Sequence, residues 1–287
     1  MAPDRRRVGL SSFTFPWAVG MADAPVPAPL THDDLLDRAV ELGVPVVQIA
    51  DNLPLDHLTR AELERLRGRA DDLGVDLEVG TRGIAAEVLE SHLAIAVALG
   101  SPILRVVVDR GGHEPAPAEI VATLRGHEQA FRRAGVTLAI ENHDRLPSAV
   151  LAAVVEELGT GWVGICLDTV NSLGALEGPD VVVATLGPYA VNVHVKDFTV
   201  ERSNSSLGFD VRGRPVGGGR LDLDRLFAAV PPDRPVTAVV ELWTPRQADV
   251  AATVELERRW AEQSVHHLTT WLRSRAVPPL PQMTGAR

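Results

Sequence analysis

Eight short apolar runs, each followed by a longer stretch of helical periodicity, constrain this chain more than any other feature. The runs are VGLSSF (8–13), PVVQIA (45–50), VDLEVG (75–80), PILRVVV (102–108), VTLAIEN (136–142), WVGICLD (162–168), AVNVHVKD (190–197) and VTAVVELW (236–243). They are rich in Val, Ile and Leu and mostly continuous, as strands covered on both faces should be. Helix signals fill the gaps. Thr31 with Asp34, and Thr59 with Glu62, have the spacing of capping boxes, and Gly43, Gly74, Gly100, Gly135 and Gly159 stand where helical patterns stop. Strict alternation predicts a parallel sheet, and eight units predict closure into an α/β, (β/α)8 TIM barrel. The expectation is one domain over 1–287, with a core at about 8–275 and flexible tails at both ends. A doubly wound open sheet is the rival arrangement, but no GxGxxG follows the first run. Loops at 16–30 and 198–220 are long for a compact domain and read as lids over a site.

Charge and cysteine usage narrow the function classes. The 38 acidic residues against 28 basic ones give −10, a surface that repels phosphate backbones, so no nucleic-acid partner is expected. No run of 18 apolar residues offers a membrane span. Cys166 is the single cysteine, which excludes an intrachain disulfide and predicts a reducing, cytoplasmic setting. Arg5, Arg6 and Arg7 precede no apolar stretch; they read as a solvated tail rather than a signal peptide.

In a barrel of this kind the strand ends carry the site. Toward the ends of runs five to eight stand the metal-capable residues Glu141, Asp168, His194 and Glu241. Three carboxylates meeting at a barrel mouth repel one another unless a cation lies between them. Three hard oxygens and an imidazole suit one divalent ion, Mn²⁺ first, with Mg²⁺ or Co²⁺ as alternatives. The bland alternative is four separate ion pairs capping strand ends. Period-two alternation puts Asn192, His194 and Lys196 on one side of run seven, and Glu78, Gly80 and Arg82 on one side of run three. Arg105 lies mid-strand and needs a partner. Either it pairs with Glu78 or Asp109 inside the barrel, or it joins Arg82 and Lys196 in binding an anionic substrate. Gln48, Asp51 and Asn52 either bind substrate hydroxyls or cap the following loop. Phe13, Trp17 and Trp243 are candidate pocket walls, His143 a neighbour of the site, His113 a solvated loop residue and Cys166 a small core residue.

The motifs AIENH, CLDTVNS, VHVKDF and VVELW, followed by PVGGGRLD, resemble the xylose-isomerase-like barrel superfamily, which includes keto-sugar 3-epimerases, hydroxypyruvate isomerase, inosose dehydratase and AP endonucleases. The resemblance implies Glu141, Asp168, His194 and Glu241 as metal ligands, with Glu141 and Glu241 facing each other across substrate as acid and base. It also implies a small sugar or sugar-acid substrate and a homodimer. Residues 217–222 (GGGRLD) resemble the family's G-x-G-x-x-D turn, a fold marker. One position departs: where the epimerases have a histidine three residues after the strand-six aspartate, this chain has Asn171, which hydrogen-bonds but carries no proton at neutral pH. The resemblance thus implies a metal-dependent isomerase or epimerase working through an enediolate. The alternative is a lyase on the same scaffold, either a decarboxylase of a 3-oxo sugar acid such as 3-oxo-isoapionate or a keto-inositol dehydratase. A repair nuclease does not fit the sparse histidines and acidic charge. A non-catalytic binding protein would not need the intact ligand set.

Overall fold

The computed structural model describes residues 6–205 and 207–276. Ten strands lie among them: β1 (Arg7–Ser11), β2 (Val46–Ile49), β3 (Asp76–Arg82), β4 (Ile103–Val107), β5 (Thr137–Glu141), β6 (Val163–Asp168), β7 (Ala190–Val195), β8 (Asp197–Arg202), β9 (Phe209–Arg214) and β10 (Thr237–Val240). Eight of them close a parallel barrel in the order β1-β10-β7-β6-β5-β4-β3-β2, one for each apolar run. The helices that cover it are α1 (Pro16–Val19), α2 (His32–Leu42), α3 (Arg60–Leu73), α4 (Ala86–Leu99), α5 (Pro117–Ala134), α6 (Ser148–Leu158), α7 (Pro179–Leu186), α8 (Leu223–Ala229) and α9 (Val250–Ala276).

Local chemistry sets these boundaries. Thr31 and Thr59 form reciprocal capping boxes with Asp34 and Glu62, which satisfy the first free N–H groups of α2 and α3. Both helices end on a glycine in the left-handed region, Gly43 at φ 65° and Gly74 at φ 68°, where a Cβ would be strained. Leu10, Ile49, Leu104, Leu138 and Val193 on the strands are fully buried among helix residues such as Leu35, Leu66, Leu89 and Leu151. Full burial of each such side chain contributes roughly 1.5–3 kcal/mol.

Two expectations are corrected. The loop at 198–220 contains the antiparallel hairpin β8–β9, outside the barrel sheet. Its strands alternate polar and apolar residues, so no continuous run marked them. Of the arginine triplet, Arg5 lies outside the described residues, as does the C-terminal stretch 277–287. Arg6 and Arg7 are not a solvated tail. Arg6 donates to the Phe227 carbonyl at 2.8 Å and lies over the Phe227 ring, and Arg7 opens β1 and pairs with Asp76. A guanidinium meets a backbone acceptor and stacks on an aromatic face at once, so Arg6 ties the start of β1 to α8.

Candidate metal centre and substrate cavity

Four strands bring their ends together. Glu141 and Asp168 are the last residues of β5 and β6, His194 is the penultimate residue of β7, and Glu241 follows β10. Register places Asp168 opposite His194 and Glu141 opposite Cys166. All four side chains belong to residues at most 2% exposed. His194 Nδ1 lies 3.4 Å from Glu141 Oε2, 3.7 Å from Asp168 Oδ2 and 3.4 Å from Glu241 Oε2.

The donor atoms left over test whether a cation fits. His194 Nδ1 and Glu241 Oε1 are buried and have no hydrogen-bond partner among the described residues, and Asp168 Oδ2 faces the Lys196 ammonium at 2.7 Å. Leaving such groups unmet costs about 1–3 kcal/mol each, more when charged. The remaining atoms of the same side chains are committed. Asp168 Oδ1 accepts from the Val170 and Asn171 amides at 2.8 Å each, and His194 Nε2 faces Gln48 Oε1 at 2.7 Å. Asn142 fixes the end of β6, accepting from the Asp168 amide and donating to its carbonyl. Burial alone would lower the proton affinity of His194, but the negative groups around it, Glu241 and Glu141 among them, raise it well above the ordinary histidine range. Burial opposes the Glu141 carboxylate, yet Arg105 and His194 hold it well below the usual carboxylate range. The cluster therefore calls for positive charge at its centre. Three carboxylates and a bare imidazole nitrogen fit one hard divalent ion. Cys166 is within reach of Glu141 and His194 but does not fit as a ligand. Burial pushes its thiol up to about 11, and Sγ donates to Asn192 Oδ1 at 3.3 Å.

A cavity of about 370 Å³ opens above the cluster, within the range of small-molecule sites. Glu141 and Glu241 reach it, together with Phe13, Arg82, Arg105, His143, Asn171, Lys196 and Trp243. A larger groove of about 700 Å³ lies elsewhere, between the 18–30 loop, α2 and the start of α9, and carries none of the four residues.

The structure sorts the remaining expected site residues. Lys196 Nζ lies 2.7 Å from Asp168 Oδ2 and 2.9 Å from Glu241 Oε2, and its backbone is held by Thr169. Asn171 donates to Glu141 Oε1 at 2.8 Å. Arg82, with a side chain one-third exposed, pairs with Asp51 and faces His143 Nε2 at 3.4 Å. Arg105 pairs with neither Glu78 nor Asp109. Its Nε donates to Glu141 and its Nη1 to Asp51 at 2.9 Å. Arg105 aligns with Gly80, where a Cβ would sit 3.3 Å from the arginine Cδ, so the missing side chain leaves it a path upward. Asp109 is held by Arg145, and Glu78 lies deeper, bonded to Gln48, Asn192 and Thr237. Gln48 and Asn192, expected at the substrate, have no exposed surface and do not line the cavity. Trp17 Nε1 donates to the Thr244 carbonyl, away from the cavity, and His113 is a half-exposed partner of Glu119.

Asp197 is the site-supporting residue the sequence reading passed over. Its two oxygens accept from the amides of Phe198, Gly217, Gly219 and Leu221 at 2.8–2.9 Å. A Cβ at Gly219 would lie 2.2 Å from Asp197 Oδ1. The aspartate of VHVKD and the GGGRLD turn are thus one clamp, which ties the base of the hairpin beside Lys196. The signal lay in two motifs about twenty residues apart, a spacing that no periodicity connects.

Residues 36–271 match the family described as Xylose isomerase-like TIM barrel. The chain is 36% identical over 264 residues to the 3-oxo-isoapionate decarboxylase of Pectobacterium atrosepticum, covering 92% of this chain and 95% of that protein. Among solved structures, a D-psicose 3-epimerase determined in the presence of D-fructose superposes with a TM-score of 0.68 at 16% identity, covering 92% of this chain and 97% of the other. A xylose isomerase-like barrel protein from Mycobacterium smegmatis, in complex with magnesium, superposes with a TM-score of 0.63 at 17% identity, covering 91% and 97%.

Proposed function

Because the chain belongs to the xylose isomerase-like TIM barrel family, we propose that it is a divalent-metal-dependent lyase that removes CO2 from a 3-oxo sugar acid. Glu141, Asp168, His194 and Glu241 would hold the ion, Mn²⁺ in the first instance. The similarity to a decarboxylase along nearly the whole chain supports this reading. So does one observation above the others: Arg105 is buried in an ion pair with Glu141. Epimerisation needs two proton-moving groups on opposite faces of one carbon, and this pairing ties one of the two cavity carboxylates to a guanidinium. Decarboxylation needs no base to take a carbon-bound proton.

In a 3-oxo acid the bond between C1 and C2 breaks, CO2 leaves, and the electron pair passes through C2 and C3 to the ketone oxygen. A proton then returns to C2. A divalent ion at the cluster would supply the electrophile for the ketone and an adjacent hydroxyl. Arg82 lies at the cavity wall and orients the departing carboxylate. Asn171 and Arg105 keep Glu141 fixed and ionised. Lys196 Nζ delivers the proton to C2. Burial opposes its charge, but Asp168 and Glu241 raise its proton affinity, and those carboxylates would hold the ammonium less tightly when they also hold a divalent ion.

The test is incubation of the purified chain with Mn²⁺ and 3-oxo-isoapionate in deuterated water. The expected result is one CO2 per substrate and one deuterium at the carbon that carried the carboxylate. The isomerase reading retains support from Glu141 and Glu241, which both line the cavity. Exchange of ketose C–H protons without CO2 release would replace the lyase reading by that one.

A further inference from the structure

Beneath the cavity a polar network crosses the barrel interior. His194 Nε2 lies 2.7 Å from Gln48 Oε1. Gln48 Nε2 donates to Glu78 Oε2 and to Asn192 Oδ1, both at 3.1 Å. Asn192 Nδ2 donates to the same Glu78 Oε2 at 2.9 Å, and Thr237 Oγ1 donates to Glu78 Oε1 at 2.6 Å. The members come from β2, β3, β7 and β10, the Cys166 thiol of β6 joins them by donating to Asn192 Oδ1, and each is at most 5% exposed.

Resting on the metal reading above, we infer that Glu78 and Gln48 are positioning residues that select the metal-binding tautomer of His194. Glu78 Oε2 takes two N–H donors, one from each neighbouring amide. Both N–H bonds of Gln48 are therefore directed at Glu78 and Asn192, and its carbonyl oxygen is turned to His194. A carbonyl oxygen only accepts, so the proton of a neutral His194 resides on Nε2. Nδ1 is then left bare toward the three carboxylates. Glu78 Oε2 accepts both N–H donors whether the carboxyl is ionised or protonated on Oε1. The device spans the barrel: Glu78 on β3 acts through Gln48 on β2 upon His194 on β7. Outer partners of this kind typically carry a 10–100-fold effect on metal affinity. None of the three amide and carboxylate groups touches the cavity, so substrate contact does not explain them.

The experiment compares Mn²⁺ affinity by calorimetry, without substrate, for the wild-type chain and for Gln48→Leu, Glu78→Gln and Thr237→Val. Glu78→Gln is isosteric but can present N–H groups to Gln48 and so permits the flipped network. Gln48→Leu and Glu78→Gln are expected to weaken Mn²⁺ binding about 10–100-fold. Thr237→Val also strips a hydrogen bond from Glu78 and is expected to lower the melting temperature while leaving Mn²⁺ affinity within about threefold of wild type, since the relay does not pass through Oε1. Long-range ¹H–¹⁵N spectra of the Zn²⁺-loaded chain should show the His194 proton on Nε2 in wild type and Thr237→Val. Unchanged affinity in Glu78→Gln, or equal weakening in Thr237→Val, would overturn the relay while leaving the metal centre standing. A wild-type chain that binds no Mn²⁺ would remove the metal reading, and the relay with it.

Discussion

Replacing Arg105 by methionine is the sharpest probe of how this site is balanced. The guanidinium is 2% exposed and answers two carboxylates, Glu141 and Asp51, while also donating to the Thr81 carbonyl at 3.3 Å and sitting over the Phe13 ring. Methionine fills much of the same volume, so the packing loss is small and the main loss is charge. Glu141, fully buried, is left with Asn171 and His194 as its remaining partners. Breaking a buried pair from one side costs roughly 3–5 kcal/mol. At about 2–4 °C per kcal/mol for a chain of this size, the melting temperature should fall by on the order of 10 °C in the presence of chelator. A divalent ion at the cluster supplies part of the lost positive charge, so saturating Mn²⁺ should recover part of the fall in Arg105→Met beyond the stabilisation it gives wild type. Arg105→Lys should lie between the two, because a point charge cannot reach Glu141 and Asp51 with a two-armed fork. Urea titrations and calorimetry, each with chelator and with Mn²⁺, measure all three. A loss under about 1 kcal/mol in chelator would refute the claim that Arg105 neutralises the site.

Other consequences are as direct. Lys196→Met should reduce CO2 release about 10²–10⁴-fold while leaving the fold intact by circular dichroism, the scale of a lost general acid; an unaltered rate would remove Lys196 as the donor. Asp197→Ala deprives four backbone amides of their acceptor, so limited proteolysis should cut faster within 198–220 and KM should rise; equal protection in both proteins would count against the clamp. Glu257 on α9 accepts from the Trp17 and Ala18 amides, and burial pushes its carboxyl up to about 8. The folded chain therefore holds a proton that the unfolded chain releases near 4.5, so stability should decline between about pH 4.5 and 8, by up to about 1.4 kcal/mol per pH unit from this group, and level off above. Denaturant midpoints for wild type and Glu257→Gln across that range check the sign, since the variant should lose this component of the slope.

Much of the site was legible because a parallel barrel converts chain position into height. AIEN, CLD, VHV and VVEL each end at the same rim, so Glu141, Asp168, His194 and Glu241 could be named from strand ends alone, and the structure brings them together. Period two placed Asn192 on the inner side of β7 with His194 and Lys196, but alternation says nothing about depth along the barrel axis. One layer separates the cavity from the network below it, and that layer turns Gln48 and Asn192 from expected substrate contacts into buried partners of Glu78. The hairpin escaped because its alternating, charged strands look like loop.

The sequence by itself determined the count of barrel strands, the common direction in which those eight run, the caps that bound α2 and α3, and the kinds of chemistry available at the rim. These follow from local periodicity and from backbone groups satisfied within a few residues. Only the closed structure decided which charges meet. Arg105 finds Asp51 and Glu141, 54 and 36 residues away, and His194 finds Gln48, 146 residues away. Such pairings depend on strand register and on side-chain depth around the closed sheet. Both are settled by packing the whole core at once, and no window of neighbouring residues contains them.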